Sequence, residues 1–341
     1  MVNRRITAII PAYNEATSIT QTVESLRAQT QPFSEIIVVD DCSTDDTGAI
    51  AESLGVCVLR PPINTGSKAG AQTYALDFVR TEFCIAIDAD TQLAPDAVEK
   101  VMASFDNQAV AAACGFVLPR FVHSVWERGR YAEYLFAFSF YKPIQEYFGK
   151  PMISSGCFSA YRTDVLRRVG GWSNRTMAED MDLTWTLYQR GFEVRFVPEA
   201  VCYPIEPHNL HFLAKQLKRW SHGFVQNVRT HWRGIIHVPY LRLMVAVGIW
   251  DAVIASLAYL VVLPVLALFV HPLFLLGYLI DLPAVAVPIL LAGIRRGEFL
   301  KAVLSLPCFL VMRLVNAVFM LRAVWSEFVL GKSLLVYEKG H

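Results

Sequence analysis

From Pro239 onward the chain becomes so apolar that part of its fold must be built against lipid. Leu241–Val270, Pro272–Ile294 and Ala302–Leu321 each approach or exceed the roughly 20 residues that a helix needs to cross a bilayer. The overall hydrophobic fraction of 54% averages this region with an ordinary polar half. The first two stretches predict spans. The third contains Arg313, Asn316 and Pro307, so its pattern fits either a span or an interfacial helix. Arg295, Arg296 and Lys301 fill the loop before it, and the excess of positive charge places that loop in the cytosol. Asp251 and Asp281 lie inside apolar stretches, where an ionisable group is costly, and a structural ion pair with Arg313 is the favoured role.

The N-terminal half follows different rules. Short apolar runs at Ile6–Ile10, Ile36–Val39, Val56–Leu59 and Phe83–Ile87 alternate with amphipathic patterns near Ser18–Ala28, Asp45–Leu54 and Ala69–Val79. This alternation predicts a right-handed, mostly parallel α/β sheet. Ligands of such sheets bind at the carboxyl ends of the strands, where Tyr13, Asp41 and Asp88 fall. Two stretches mix aromatic and charged residues, Phe121–Phe148 and Pro207–Trp232, and this composition suits helices at a membrane interface. An ordinary aromatic core would look the same in the first of them.

A net charge of +1 provides no basic field for phosphates along a duplex and argues against nucleic acid as a partner. Seven cysteines form no spaced framework, and Cys42, Cys57, Cys84 and Cys114 lie in or beside apolar runs, so reduced thiols in a cytosolic compartment are expected. Met1–Arg5 runs directly into the first strand without an apolar stretch, so no signal peptide is expected.

The candidate chemistry lies in carboxylates. Asp88-Ala89-Asp90 closes an apolar strand, and residues two apart on a strand share a face, so both can address one site. Hard oxygen donors of this kind suit Mg²⁺ or Mn²⁺ on a diphosphate. Alone, so short a pattern is more often a solvated loop or helix cap. Pro11-Ala12-Tyr13-Asn14-Glu15 follows the first strand, and Asp40-Asp41 begins a polar loop after the second. An aromatic face can stack on a base, and a carboxylate can accept from an imide or ribose. A helix cap is the alternative role for Asp45 or Ser43. Lys68 stands near a helix start as a point charge for phosphate, with a plain surface lysine as the alternative.

In order along the chain, Pro11–Glu15, Asp40-Asp41, Lys68, Asp88-Ala89-Asp90, Ser155-Gly156-Cys157, Glu179-Asp180 and Gln216-x-x-Arg219-Trp220 resemble the motifs of membrane-integrated glycosyltransferases of family 2. That group includes poly-N-acetylglucosamine, chitin-oligosaccharide, hyaluronan and cellulose synthases, and the resemblance covers roughly Ile6–Trp232. It implies a GT-A fold with Pro11, Tyr13, Glu15 and Asp41 at uridine, Lys68 and Asp88 at the donor, and Asp90, with Asp88, at the metal. It further implies Asp180 as the base and Gln216 and Arg219 at the diphosphate. Ser155, Gly156, Cys157, Glu179 and Trp220 would face the acceptor. The family often has Thr before Glu-Asp, where this chain has Ala178. Without the resemblance, an interfacial belt residue for Trp220 and a headgroup contact for Arg219 are the commoner roles.

The expected organisation is a cytosolic GT-A domain (1–205), an amphipathic interfacial helix (206–238), a membrane region (239–325) and a tail (326–341). The chain would be a multi-pass protein of the inner or plasma membrane. Its expected activity is inverting, metal-dependent transfer from a UDP-sugar, with N-acetylglucosamine favoured, to a growing β-linked glycan. Export of a polymer would call for a homo-oligomer or a partner subunit. Transfer of one sugar to a lipid acceptor, of the ceramide or polyprenyl-phosphate type, is the alternative. A silent scaffold is disfavoured because Asp88, Asp90 and Asp180 are all present. Tyr337 and Lys339 in the tail resemble a gating segment that closes over bound UDP.

Overall fold

A computed structural model describes residues 4–148 and 150–334; Tyr337 and Lys339 lie outside the described residues. The expected alternation appears as β1 (Ile6–Ala12), α1 (Ile19–Arg27), β2 (Glu35–Asp40), α2 (Thr47–Ser53), β3 (Cys57–Leu59), α3 (Lys68–Leu76) and β4 (Phe83–Ile87). It continues through β5 (Gln92–Leu93), α4 (Ala97–Ala103), β6 (Val110–Val117), α5 (Val125–Phe136) and α6 (Lys142–Tyr147). Next come β7 (Phe158–Arg162), α7 (Thr163–Arg168), α8 (Glu179–Gln189), β8 (Glu193–Tyr203), α9 (Leu210–Thr230) and α10 (Trp232–His237).

By compactness the chain divides into two units. The first comprises 1–120 and 144–205, and the second 121–143 and 206–341. In the first, one sheet has the order β3-β2-β1-β4-β7-β6-β8-β5. β3, β2, β1 and β4 are parallel, as their helical crossovers require. Beyond β4 the sheet is mixed, because β7 runs antiparallel to both β4 and β6 while β6 and β8 are parallel. β7 is reached only after the excursion through the second unit, so no tight crossover fixed its direction.

One face of this sheet buries Ile9, Ile37, Cys84, Ala86, Ala112 and Val194 against Ala71 and Leu76 of α3 and against Leu183 and Leu187 of α8. Each fully buried Leu, Ile or Val contributes about 1.5–3 kcal/mol relative to exposure, so the layer fixes both helices firmly. Their N-termini carry Lys68 and Asp180. Tyr161 and Trp172 meet edge to face in the same core, with centroids 5.4 Å apart.

In the second unit α5 opens with a capping box, in which Ser124 Oγ accepts from the Glu127 amide and Glu127 accepts from the Ser124 amide. Pro239–Phe269, Pro272–Arg295 and Phe299–Val329 are long and apolar enough to cross a membrane. The chain is therefore membrane-associated. Pro272–Leu279 is a tight 3₁₀ segment and Leu282–Arg295 an α-helix. The ion pair expected for Arg313 forms with Asp281, with Nη1 to Oδ1 at 2.7 Å, and the Tyr259 hydroxyl also donates to Asp281.

Gly115 in β6 marks the tightest approach in the sheet: a Cβ there would lie 2.2 Å from the Ala200 carbonyl oxygen and 2.6 Å from Phe158. Gly115→Ala should lower stability by about 1–3 kcal/mol, the usual cost of overpacking. Thermal unfolding followed by intrinsic fluorescence checks it, and an unchanged midpoint would count against this packing.

Candidate active site

Each strand end delivers one polar residue, since Tyr13, Asp41 and Asp88 directly follow β1, β2 and β4. Pro11 lies within β1, paired with Val39. After Ala12 the chain turns sharply, and Asn14 adopts a left-handed φ of 55°. Asn is among the few residues that tolerate this region. The turn is held from outside itself: the Asn14 amide donates to Ser43 Oγ at 3.0 Å, and Asn14 Oδ1 accepts from the Thr44 amide at 2.8 Å. The Glu15 amide donates to Thr47 Oγ1, and the Ala16 amide to Asp45 Oδ2. Ser43 and Asp45 thus bridge two strand ends. Tyr13 is left 40% exposed, while Glu15 is buried and accepts from Ser18 Oγ at 2.7 Å.

Asp41 is buried and receives Thr65 twice, from the amide to Oδ1 and from the hydroxyl to Oδ2, both at 2.8 Å. Asn64 Nδ2 donates to the Asp41 carbonyl at 2.7 Å. The carboxylate therefore anchors the loop that leads into α3, a role the sequence did not reveal. Ser67 caps that helix by accepting from the Gly70 amide. Lys68 is its first residue.

The Lys68 ammonium gathers the centre of the site. It pairs with Asp88 Oδ1, donates to the Gly156 carbonyl at 3.0 Å and lies 3.7 Å from Glu179 Oε1, with its side chain only 12% exposed. On the other side of Gly156, the glycine amide donates to Asp180 Oδ2 at 3.0 Å. Asp180 Oδ1 accepts from the Met181 amide at 2.8 Å. Both oxygens are thus oriented by backbone in the first turn of α8, where the helix dipole favours negative charge. A Cβ at Gly156 would stand 3.0 Å from Lys68 Nζ and 3.2 Å from Asp180 Oδ2, so a larger residue would require both side chains to give by a few tenths of an ångström. Ala178 is the N-cap of α8 and supplies no side-chain cap.

Asp88 and Asp90 do not lie on an extended strand. β4 stops at Ile87, and the Thr91 amide donates to the Asp88 carbonyl at 3.0 Å, closing a turn. Strand alternation therefore does not orient them. Thr91 Oγ1 donates to Asp90 Oδ1 at 3.2 Å. Ser155 contributes its carbonyl, which accepts from the Phe158 amide and Ser159 Oγ. Cys157 Sγ stands 3.9 Å from Cys202 Sγ. That contact, then burial, pushes the Cys157 thiol up, away from the thiolate form that a nucleophile needs.

Gln216, Arg219 and Trp220 belong to α9 in the second unit. Their neighbourhood is organised by Arg130 of α5, which is 3% exposed. Arg130 Nη1 donates to Glu133 and Nη2 to Gln216 Oε1, both at 2.7 Å. Its guanidinium lies 4.5 Å from the Trp220 ring centroid, a cation–π contact. Glu206 accepts from the Tyr134 hydroxyl at 2.7 Å; burial pushes its carboxyl up, opposed by Arg130. Trp220 remains 36% exposed. No linear motif announced Arg130 or Glu206.

Residues 7–170 match the protein family described as "Glycosyl transferase family 2". The "Uncharacterized glycosyltransferase YaiP" of Escherichia coli is 31% identical over 260 residues, which is 72% of this chain and 64% of that protein. The "Poly-beta-1,6-N-acetyl-D-glucosamine synthase" of Staphylococcus epidermidis is 27% identical over 223 residues, 64% of this chain and 54% of the synthase. The chain thus spans just over half to two thirds of the length of these relatives. Among solved structures, the mannosyltransferase PcManGT from Pyrobaculum calidifontis, in complex with GDP-Man and Mn²⁺, superposes with a TM-score of 0.64 at 18% identity. That superposition covers 96% of this chain and 87% of the mannosyltransferase, and it is a likeness of fold.

Removing the cation from the α5–α9 cluster leaves the buried carboxylate of Glu206 without the opposite charge 3.8 Å away, with only neutral donors beside it. Arg130→Ala should therefore cost about 3–5 kcal/mol, read as a lowered melting temperature of the detergent-solubilised protein. A variant that melts like the parent would contradict the organising role of Arg130.

Proposed function

This chain carries a glycosyl transferase family 2 domain with a GT-A-like mixed sheet, and from that premise we propose that it catalyses inverting transfer of a sugar from a UDP-sugar to a growing β-linked glycan at the membrane. N-acetylglucosamine is the favoured sugar, in keeping with the synthase relatives. The observation that carries the reading is the pairing of Lys68 and Asp180 across Gly156.

Transfer needs opposite services on the two sides of the anomeric carbon. On the acceptor side, the attacking hydroxyl forms the new C1–O bond and gives its proton to Asp180, a carboxylate already aimed by the Gly156 and Met181 amides. On the donor side, the bond from C1 to the diphosphate oxygen breaks and its electron pair leaves with UDP. The Lys68 ammonium favours that growing charge. Attack opposite the leaving group inverts C1. Asp88 holds Lys68 in place, and Tyr13 offers the base an exposed ring. Glu179, beside Lys68, and the Ser155–Cys157 backbone form the acceptor side of the reading.

Among the described residues no three His, Cys, Asp or Glu side chains gather as a metal cage. One or two carboxylates are what Mg²⁺ or Mn²⁺ takes from protein when diphosphate oxygens and water complete its shell, so Asp90, with Asp88, fits such an ion. When bound, the ion would supply positive charge at the departing diphosphate. The resemblance further assigns Gln216 and Arg219 to the diphosphate and Trp220 to the acceptor, and these assignments stand within the proposal.

Asp180→Asn should reduce transfer by about 10²–10⁴-fold, the range for loss of a general base, while UDP binding measured by calorimetry stays close to the parent. Turnover near the parent's would overturn the assignment. Gly156→Ala should displace Lys68 and Asp180 by a few tenths of an ångström and lower turnover by up to about 10²-fold, the scale of a 1 Å displacement of reacting groups, with an unchanged melting temperature. Full activity would show that Lys68 and Asp180 need not be held together. Mass analysis of the product distinguishes a polymer from a single sugar on a lipid.

A further inference from the structure

From Pro151 to Gly156, within the first unit, the chain belongs to no helix or strand. Pro151 and Ser154 are nevertheless buried, and the segment ends at the glycine that Lys68 and Asp180 share. Buried backbone groups need partners. Lying outside the sheet, these take theirs from side chains of α8. The Gly156 amide donates to Asp180 Oδ2 at 3.0 Å, and the Ser154 amide donates to Thr184 Oγ1 at 2.9 Å. Trp185 Nε1 donates to the Met152 carbonyl at 3.1 Å, and the Tyr188 hydroxyl donates to the Pro151 carbonyl at 2.5 Å.

These contacts form a ladder. Asp180, Thr184 and Tyr188 recur every four residues and line one face of α8, with Trp185 beside them. Their partners fall from 156 to 151 as the helix rises from 180 to 188, so the segment runs back along about 12 Å of helix. Thr184 is the rung nearest the proposed base, and it is fully buried. Its hydroxyl accepts from the Ser154 amide and donates to the Asp180 carbonyl at 2.6 Å. One oxygen atom thus joins the first turn of α8 to the segment that carries Gly156. Ser154 is held from the other side too, since its Oγ lies 2.9 Å from Ser159 Oγ of β7.

Reacting groups must be held to within about 0.5 Å of their productive geometry, by neighbours that are themselves fixed. We propose that Thr184 is a positioning residue for sugar transfer, seconded by Trp185 and Tyr188: it registers the Pro151–Gly156 segment on α8 and so sets where Gly156 stands between Lys68 and Asp180. Having no exposed surface, it acts through these backbone groups and not on the substrate. The inference rests on the reading of Asp180 as the base.

The test uses the full chain in detergent, with Thr184→Val, which keeps the side-chain shape but leaves the buried Ser154 amide without its acceptor, and Thr184→Ser, which keeps the hydroxyl. Hydrogen exchange read by mass spectrometry on a peptide covering 152–157 should speed up by about tenfold or more in the valine variant, while a peptide covering β1 exchanges as in the parent. Turnover of UDP-N-acetylglucosamine should fall by about 10–10²-fold, with UDP affinity by calorimetry close to the parent's, and Thr184→Ser should restore both exchange and turnover. Exchange at the parent's rate in Thr184→Val would overturn the ladder, and a loosened segment with the parent's turnover would overturn its part in transfer. Should the valine variant fold poorly, Tyr188→Phe removes a more distant rung: faster exchange with a smaller loss of turnover supports the proposal, and the parent's values in both overturn it. Asp180→Asn, measured in parallel, separates the two readings. If it keeps the parent's turnover, the base assignment falls and the catalytic role of Thr184 falls with it, whereas the exchange comparison still decides the ladder.

Discussion

The site of the first unit depends on one ammonium group held away from bulk water. A cation this enclosed needs opposite charge and hydrogen-bond acceptors close by, and Lys68 has Asp88, the Gly156 carbonyl and Glu179. That requirement ties together four segments far apart in sequence: the start of α3, the turn after β4, the Ser155–Cys157 turn before β7 and the start of α8. Gly156 transmits the constraint further, because its carbonyl faces Lys68 while its amide faces Asp180. One residue thus sets the spacing between the Lys68 cation and the Asp180 carboxylate. The sheet core anchors the arrangement from behind by packing both α3 and α8.

The second unit repeats the logic with an arginine. Arg130 is enclosed more fully than Lys68, and its planar guanidinium gives separate donors to Glu133 and Gln216 while presenting a face to Trp220. A lysine would offer a point charge without that fork or face. The motif glutamine and tryptophan on α9 are therefore oriented by a residue of α5, some 86 positions earlier in the case of Gln216.

How much could be foreseen follows from the range of each interaction. β4 matched its predicted bounds because five consecutive apolar residues, all buried, leave a strand little latitude. The mixed character of the sheet beyond β4 was not legible, since the direction of β7 depends on an excursion that no local pattern encodes. Asp88, Asp180 and Lys68 were legible only through the order of the motifs along the chain, because alone such a carboxylate or amine more often caps a helix or faces solvent. The capture of Asp41 by Thr65 spans 24 residues and was invisible, as was the pinning of Asn14 by Ser43 and Thr44. The third apolar stretch was ambiguous for a physical reason: its exposed apolar residues share the helix with Arg313 and Asn316, so hydropathy averaged over the helix conceals the difference.

The central claim is that Asp180 and Lys68 act on opposite sides of an anomeric carbon, and its stereochemical consequence is directly measurable. Purified protein in detergent, given UDP-N-acetylglucosamine with Mn²⁺ and a short β-linked acceptor, should add sugar whose new linkage NMR identifies as β, the inverse of the α-linked donor. A product with an α linkage, or no transfer from any UDP-sugar under these conditions, would contradict the account.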